Sequence, residues 1–470
     1  MKKNSIVLSL MLLLLGACST TSEVLQPRVD MPGAYRETSA SQSTLTMEWW
    51  QAFGSAELAN LIALSLQESP DLAMAMERVR QAEAQVRVAG ASLFPQLELA
   101  GGSSRRGSRE SGESSERSDS TGASLEASYE VDLWGLNAAD VRGADALLRA
   151  TEYDHEAIRL TLLAGVANAY FEVLSLRDRL AVARQNVSIA ERVLNIVEIR
   201  FRNGVVSSLD VARQRTTVLN QRANIPALER QERQTLAALA ILIGRPPQAF
   251  DVQAMDLNQL AAPVVAPGLP PELLTRRPDL AAAEAQLISA NANLAAARAA
   301  LLPSLRVSAS GGGGSAEFLS LASPHTATYA IAASVLQTIF DGGRLRAEVD
   351  VASSRERELV ESYRKAILSA LADVENALAA TSRTAEEEDL QRQARDQASR
   401  ALRLSEVRYR EGADDLLSVL DAQRSLFLAQ EQLALVQLSR LQASVSLFKA
   451  LGGGWQAPTA YSGGPAIPKS

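Results

Sequence analysis

Histidine and cysteine, the residues most used in nucleophilic catalysis and in transition-metal centres, are nearly absent from this chain. In 470 residues, His155 and His325 are the only histidines and Cys18 is the only cysteine. Ser-His-Asp catalysis and metal centres built from histidine and cysteine therefore lack their usual residues. The acidic run 386–389 could suggest a cation site, but consecutive helical residues point in different directions, so we expect a solvated face. We predict no catalytic residue, no metal site and no enzyme activity.

The composition indicates long packed helices and excludes one class of partner. The chain is 47% hydrophobic but only 4% aromatic, so its cores depend on alanine, leucine and valine. The formal net charge is −7, and no block of lysine or arginine compensates for it. We therefore expect no nucleic acid partner.

The N-terminus has the pattern of a secreted, lipid-modified protein. Lys2 and Lys3 precede an apolar run over 6–15 that is too short to span a bilayer. The residues that follow, Leu15-Gly16-Ala17-Cys18, resemble the lipobox of bacterial lipoproteins. We predict that residues 1–17 are a signal peptide and that Cys18 carries a covalent lipid, and we expect the protein to need no other cofactor. Ser19 follows Cys18 in place of an aspartate that would retain a lipoprotein in the inner membrane, so the resemblance to sorted lipoproteins implies the outer membrane.

The rest of the chain is a tandem repeat. Pro70-Asp71-Leu72-Ala73 recurs 208 residues later as Pro278-Asp279-Leu280-Ala281, and Phe201-Arg202-Asn203-Gly204 falls on Tyr409-Arg410-Glu411-Gly412 at the same offset. The predicted organisation is a lipid-anchored and equatorial segment over 18–69, a first repeat over 70–256, a linker over 257–277, a second repeat over 278–452 and a tail over 453–470.

Each repeat predicts a β-hairpin followed by two long helices. Apolar and polar residues alternate in the strands, whereas long stretches without proline and reversals at glycine define the helices. The Ser/Gly-rich stretch 103–121 is predicted to be a solvated loop, and 311–314 a loop that lacks the Lys-Ser/Thr of a phosphate-binding loop. The predicted strands are 96–104, 123–134, 304–311 and 326–338, and the predicted helices are 137–202, 208–242, 343–410 and 415–451.

Apolar residues at four-three spacing predict how the long helices pack. One such seam runs from Leu176 to Phe201, and a second stripe lies on the return helix. The second stripe consists of Leu209, Ala212, Thr216, Leu219 and Ala223.

Each strand has one apolar face that could contact lipid, but four strands are too few to close a barrel. Open sheet edges are not tolerated in lipid, so closure by several chains is required. Two chains would give about eight strands and a filled interior, while three would give twelve and an open lumen. Phe94, Trp134 and Phe340 fit an aromatic girdle at one interface. The alternative is a soluble hairpin whose aromatic residues pack on a helix.

These features resemble the TolC-like outer membrane factor family, in the lipoprotein subgroup that serves resistance-nodulation-division efflux pumps. The resemblance rests on the lipobox, the tandem halves and three motifs. It implies a mainly α protein with membrane β strands: a homotrimer with a twelve-stranded barrel in outer-membrane lipid, continued by a periplasmic barrel of coiled-coil helices. It also implies a periplasmic adaptor protein and an inner-membrane pump as partners. The motifs are Asp132-Leu133-Trp134-Gly135, Phe340-Asp341-Gly342-Gly343 and Leu420-Asp421-Ala422-Gln423.

The resemblance also assigns site residues. Leu417 and Asp421 occupy the positions of the family's periplasmic gate, while Ser418 stands where some members have a second aspartate. The helix tips at Gly204-Val205 and Gly412-Ala413 match the segments that dock the adaptor.

Three functions remain open at this point. The whole-chain resemblance favours the exit duct of an efflux pump for small molecules such as drugs. A type I protein-secretion outlet would share the architecture but usually lacks a lipobox. A lipid-anchored coiled-coil scaffold would have no pore, so conductance separates it from both ducts.

Overall fold

We analysed a computed structural model of the chain. The structure describes residues 24–37, 46–108, 116–254, 256–257, 260–263, 265–315 and 326–456. The helices of eight or more residues are α1 (Ala56–Glu68), α2 (Pro70–Ala91), α3 (Leu136–Arg202), α4 (Ser208–Leu242), α6 (Pro278–Ala299), α7 (Arg344–Arg410) and α8 (Leu416–Ala450), and α5 (Leu273–Arg276) is a single turn. The strands are β1 (Gln96–Ser108), β2 (Glu116–Val131), β3 (Ser304–Ser315) and β4 (Thr326–Leu336).

The described residues form two compact units. One unit contains 24–28, 78–152 and 282–364, and therefore the whole sheet; the other contains 29–77, 153–281 and 365–456. The sheet is antiparallel, with the strand order β1-β2-β3-β4. β1 and β4 are its edges, so each has one row of backbone groups without a strand partner among the described residues.

The predicted loop over 103–121 was wrong, because β1 and β2 continue into it. Their pairing runs on to Ser108 opposite Glu116. Short polar side chains support it across the strands: the Ser103 and Thr121 hydroxyls lie 3.1 Å apart, and the Arg105 Nε donates to Asp119 Oδ1 over 2.6 Å. Polar cross-strand pairs stabilise a ladder as apolar pairs do, so a hydrophilic composition did not end the strands.

The predicted loop over 311–314 was also wrong, since these glycines belong to β3. They pair with both neighbouring strands. At Gly312 a Cβ would lie 2.7 Å from the Ala123 carbonyl oxygen and 2.9 Å from the Ser124 Cβ. Glycine is therefore used here for the close approach of two strands. β3 consequently runs to Ser315, past its predicted end at 311, whereas β4 ends at Leu336 and not at 338.

β2 ends at Val131 and not at Trp134, because Asp132 is used to begin a helix. The two Asp132 carboxylate oxygens accept from the backbone N–H groups of Asn137 and Ala138, over 3.1 and 2.8 Å. Asp341 does the same before α7, with donors at Gly343 and Leu345. The two motifs that looked alike in the sequence thus begin α3 and α7.

The sheet has apolar side chains exposed on one face of each edge strand. Leu97 and Leu99 on β1, and Tyr329 and Ile331 on β4, are exposed. Phe94 and Phe340 beside the strand ends are exposed as well. Trp134 differs, because its indole Nε1 donates to the Pro303 carbonyl oxygen over 2.7 Å.

The second unit has an aromatic core around the middle of α3. Trp49 stacks on Phe448 with ring centroids 5.2 Å apart, and Phe53 contacts Phe171 at 5.0 Å. Trp49, Phe53 and Phe171 are all fully buried. This core joins the N-terminal segment to α3 and α8.

The long helices pack along part of the predicted seams. Leu176, Leu180 and Ala183 of α3 form a buried cluster with Leu228 of α4. Phe201, however, is exposed. The predicted stripe on α4 is exposed in the single chain, at Leu209, Ala212, Thr216, Leu219 and Ala223. The buried residues of α4 are instead Gln214, Val218, Leu228, Leu239 and Ala240.

The acidic run 386–389 is only partly the solvated face that we expected. Glu386, Glu387 and Asp389 are exposed, but the Glu388 side chain is only 8% exposed. Its carboxylate accepts from Arg392 one turn along α7 and from Arg440 on α8, over 2.5 and 2.6 Å. Glu388 thus joins α7 to α8, a contact that helical spacing alone does not reveal.

Candidate functional site at the helix tips

The two long helices end in the same kind of turn. Gly204 and Gly412 have φ angles of 70° and 78°, which only glycine adopts without strain. The Val205 N–H donates to the Arg200 carbonyl over 2.9 Å, and the Ala413 N–H donates to the Arg408 carbonyl over 2.8 Å. Both turns are Schellman motifs. They leave the four predicted docking residues, Gly204, Val205, Gly412 and Ala413, exposed.

Each return helix begins with a cap made by serine and aspartate. At α4 the cap is reciprocal: the Ser207 hydroxyl accepts from the Asp210 N–H, while the Asp210 carboxylate accepts from the Ser207 N–H. At α8 the residues have exchanged places, so that Asp415 is the cap and Ser418 is the third helical residue. This second cap acts in one direction only, because the Asp415 carboxylate accepts from Ser418 and no bond returns to the Asp415 N–H.

Ser418 has a defined partner in this arrangement. Its backbone N–H and its hydroxyl both donate to Asp415 Oδ1 over 3.0 Å. These hydrogen bonds hold the pKa of the Asp415 carboxyl below its usual value. The carboxylate that belongs to this turn is therefore a helix cap, next to the position where some relatives have a second aspartate.

Leu417 and Asp421 lie on one exposed face of α8. They are four residues apart, so their side chains point in the same direction. Leu417 is 60% exposed and Asp421 is exposed. The neighbouring Leu416 and Val419 are buried in a cluster with Val193 and Val197 of α3. Packing on one face of α8 therefore fixes the direction in which the predicted gate residues point.

Two residues at the tips were missed from the sequence. The Arg200 guanidinium of α3 lies over the Tyr409 ring of α7, 4.6 Å from its centroid, and donates to the Tyr409 carbonyl oxygen. A signal was present, because Arg200-Phe201 and Arg408-Tyr409 are equivalent dipeptides 208 residues apart. This cation–π contact joins the two repeats next to their turns.

Two buried amide side chains lie close to the face of α8 that carries the predicted gate residues Leu417 and Asp421. Gln214 on α4 is fully buried and donates to the Ala190 carbonyl over 2.8 Å. Gln423, two residues after Asp421, has 0% exposure, and neither of its amide atoms has a hydrogen-bond partner among the described residues. An unpaired buried amide costs free energy, so the start of α8 is packed with less stability than an apolar core would provide.

Two other predictions concern residues or sites away from the tips. Cys18 lies outside the described residues. Within the described part of the chain, no group of three or more His, Cys, Asp or Glu side chains is arranged to hold a metal ion.

The cap of α8 generates a pH-dependent prediction. Because the pKa of Asp415 is lowered in the folded state, its stabilising contribution is present above about pH 4 and is lost as the pH falls through the folded value. We expect Asp415→Ala to reduce protection of the 416–420 amides severalfold at pH 7 in hydrogen-exchange mass spectrometry. Asp415→Asn, which still accepts but does not titrate, should keep protection and remove its decline in acid. Equal protection in Asp415→Ala and the unsubstituted chain would contradict this role.

Comparison with known proteins identifies the family to which this chain belongs. The family described as "Outer membrane efflux protein" matches residues 61–245 and again residues 269–453. The two matches correspond to the two halves of the tandem repeat, and together they cover most of the chain.

Two relatives are similar over nearly their whole length. The pyoverdine export outer membrane protein OpmQ of Pseudomonas aeruginosa is 45% identical in an alignment that covers 94% of this chain and 95% of OpmQ. The toluene efflux pump outer membrane protein TtgC of Pseudomonas putida is 33% identical in an alignment that covers 98% of this chain and 97% of TtgC.

A solved structure agrees with this assignment. The open state of the MtrE outer membrane channel of Neisseria gonorrhoeae has a TM-score of 0.83 and 32% identity, and the match covers 93% of this chain and 98% of MtrE. The fold is therefore that of the trimeric TolC-like channels, mainly α with membrane β strands, which span the outer membrane and project into the periplasm. The chain belongs to the outer membrane efflux protein family and is an outer membrane channel for efflux.

Proposed function

We propose that three copies of this chain form the exit duct of a tripartite pump. The duct receives small molecules from an inner-membrane resistance-nodulation-division pump through a periplasmic adaptor, and it releases them outside the cell. The observation that carries this proposal is the pair of unpartnered surfaces on each chain, the edges of the sheet and the outer faces of two long helices.

The sheet edges require neighbouring copies. The backbone groups on the outer sides of β1 and β4 have no strand partner in this chain, and lipid provides no hydrogen bonds for them. Pairing β4 of one copy with β1 of the next satisfies both edges at once. With four strands per chain, two copies give eight strands and a filled interior, whereas three give twelve strands and room for a lumen.

The helices contribute a second pair of surfaces. On α4, Leu209 and Leu219 are exposed, and on α7, Leu404 and Val407 are exposed. Ion pairs within the chain join α4 to α3, α3 to α8 and α8 to α7, and α3 also meets α7 at the tips through Arg200 and Tyr409. The exposed apolar residues of α4 and α7 lie outside these contacts, so they can pack against neighbouring copies. The stripe on α4 that is exposed in the single chain becomes an interface in the trimer.

The exposed tips supply a docking surface for the adaptor. Val205 and Ala413 are small apolar residues at the ends of the two turns, and the caps of α4 and α8 fix the backbone behind them. The two tips present nearly the same shape because the repeats share one turn geometry. An adaptor with repeated binding surfaces can therefore contact both.

Leu417 and Asp421 form the gate in this proposal. Three Leu417 side chains around the threefold axis narrow the duct, and three Asp421 carboxylates form an acidic ring. Unit charges about 4 Å apart interact by roughly 1 kcal/mol in water and by a few kcal/mol near a protein surface, so a divalent cation can bridge the ring. Ser418 has no carboxylate, and its hydroxyl donates to Asp415 Oδ1. The gate therefore has one acidic ring, made by Asp421.

A lipid anchor completes the assembly. We propose that Cys18 is the acylated N-terminus of the mature chain, because the only cysteine lies where the lipobox requires it. The barrel has its own lipid-facing residues, so the anchor acts in targeting more than in holding the trimer together.

The proposed gate generates a prediction about ion conductance. In planar bilayers the unsubstituted trimer should show a small, cation-selective conductance that divalent cations block. Leu417→Ala with Asp421→Ala should raise the conductance severalfold and abolish the block. Trimer assembly should be kept, because both side chains are exposed away from the packed face of α8.

A matched control is available on α7. Asp389→Ala with Leu390→Ala also removes one exposed leucine and one exposed aspartate, and we expect it to leave conductance and block unchanged. If the gate variant behaved like this control, the constriction would lie elsewhere and the assignment of Leu417 and Asp421 would be wrong.

Sequence identity favours one cargo. The pyoverdine exporter is 45% identical and the toluene pump protein 33%, so we propose a siderophore of the pyoverdine type as a substrate. Expressed in P. aeruginosa that lacks OpmQ, the chain should restore at least half of the pyoverdine fluorescence in the medium, whereas TtgC at equal level should not. Fluorescence no higher than with an empty vector, with the chain assembled in the outer membrane, would contradict this cargo.

A further inference from the structure

A large groove lies in the wall formed by α3, α4 and α8. Its volume is about 840 Å³, within the range of pockets that hold small organic ligands. All of its lining residues lie on these three helices of one chain, and α7 contributes none. One lining residue, Thr216, also belongs to the α4 stripe that packs against a neighbouring copy in the proposed trimer, so one edge of the groove lies beside that interface.

The groove is positively charged although the chain as a whole is acidic. Arg179, Arg213 and Arg424 line it, together with a single carboxylate, Glu431. Glu431 is already bound by Arg179, whose Nε donates to it over 2.8 Å. Arg213 and Arg424 are exposed and have no ion-pair partner among the described residues. Two guanidinium groups are thus available on opposite walls, one on α4 and one on α8.

The rest of the lining suits a ligand with an apolar body. Phe427 and Leu428 of α8 and Leu228 of α4 provide apolar surface between the two arginines. Asn186 of α3 lies at the base; it is 4% exposed, and its Oδ1 has no hydrogen-bond partner among the described residues. A buried acceptor without a partner can receive a hydrogen bond from a hydroxyl or amide of a ligand.

The position of the groove connects it to the gate. Leu417, Asp421, Arg424 and Leu428 follow one another at four-three-four spacing, so they lie along one face of α8. In the proposed trimer this face lines the duct, and the groove opens to the lumen one turn beyond the acidic ring. A ring of Asp421 carboxylates repels organic anions, and an arginine pair directly above it attracts them.

We infer that this groove is a transit site for organic anions with a planar apolar body and a hydrogen-bond donor. The inference rests on the proposed duct, because only there does the groove face the path of the cargo. Arg213 and Arg424 bind the anionic groups, Phe427 and Leu428 contact the apolar body, and Asn186 accepts a hydrogen bond. Salt screens the two arginine charges, so binding weakens as the salt concentration rises. Binding is also reversible, because the cargo must pass on through the duct.

The test uses the full-length trimer in lipid nanodiscs with pyranine, a hydroxypyrene trisulfonate, as the probe. Fluorescence anisotropy should show saturable binding. Arg213→Gln with Arg424→Gln should raise the Kd at least tenfold, and Arg424→Gln alone should raise it severalfold. Both side chains are exposed and unpaired among the described residues, so the variants should assemble normally.

The control removes the same number of positive charges from outside the groove. Arg215 and Arg222 are exposed on α4 and pair with Glu198 and Glu191, and neither lines the groove. Arg215→Gln with Arg222→Gln should change the Kd by less than twofold. An equal loss in both double variants would show general charge attraction, and no loss in either would place the probe elsewhere; each result would overturn the inference.

Single-channel currents from the same preparations separate this inference from the proposed function. A trimer that conducts ions but binds pyranine equally with and without the two groove arginines would refute the groove and leave the duct standing. A trimer that does not conduct, even with Leu417→Ala and Asp421→Ala, would refute the duct, whatever the anisotropy shows.

Discussion

A backbone amide in lipid must find its hydrogen-bond partner within the protein, and the rest of this structure depends on that constraint. Within the chain, β2 and β3 satisfy it on both sides, while β1 and β4 satisfy it on one side only. The chain therefore completes its sheet with copies of itself. The exposed apolar faces of α4 and α7 follow from the same symmetry, because a closed ring of sheets also brings the helices of neighbouring copies together.

The helix tips are fixed both locally and across the repeats. Schellman turns at Gly204 and Gly412 and the Ser–Asp caps fix the backbone of each tip. Between the repeats, Val193 and Val197 of α3 are buried in one apolar cluster with Leu416 and Val419 of α8. The fully buried Gln423 has no partner for its amide among the described residues, so this packing includes one polar group that costs free energy.

Much of this fold could be predicted from the sequence, because helix period, proline-free length and glycine turns are local properties. The errors arose where non-local contacts decide the outcome. Ser103 and Arg105 were assigned to a loop from composition, but cross-strand partners hold them in β1. Leu209 and Leu219 were predicted to lie on one stripe, but helical periodicity does not state which partner covers a stripe. The groove around Arg213 and Arg424 was not foreseen, because it joins residues that are more than 200 positions apart in the sequence.

Native mass spectrometry of the complex, extracted gently from the outer membrane, directly counts the chains that close the sheet. We expect a single assembly of three chains, each lacking residues 1–17 and carrying the added mass of acyl groups on Cys18. Three copies would give twelve strands and a lumen. A stable assembly of two chains, whose eight strands would enclose only side chains, or a population of single chains would contradict it.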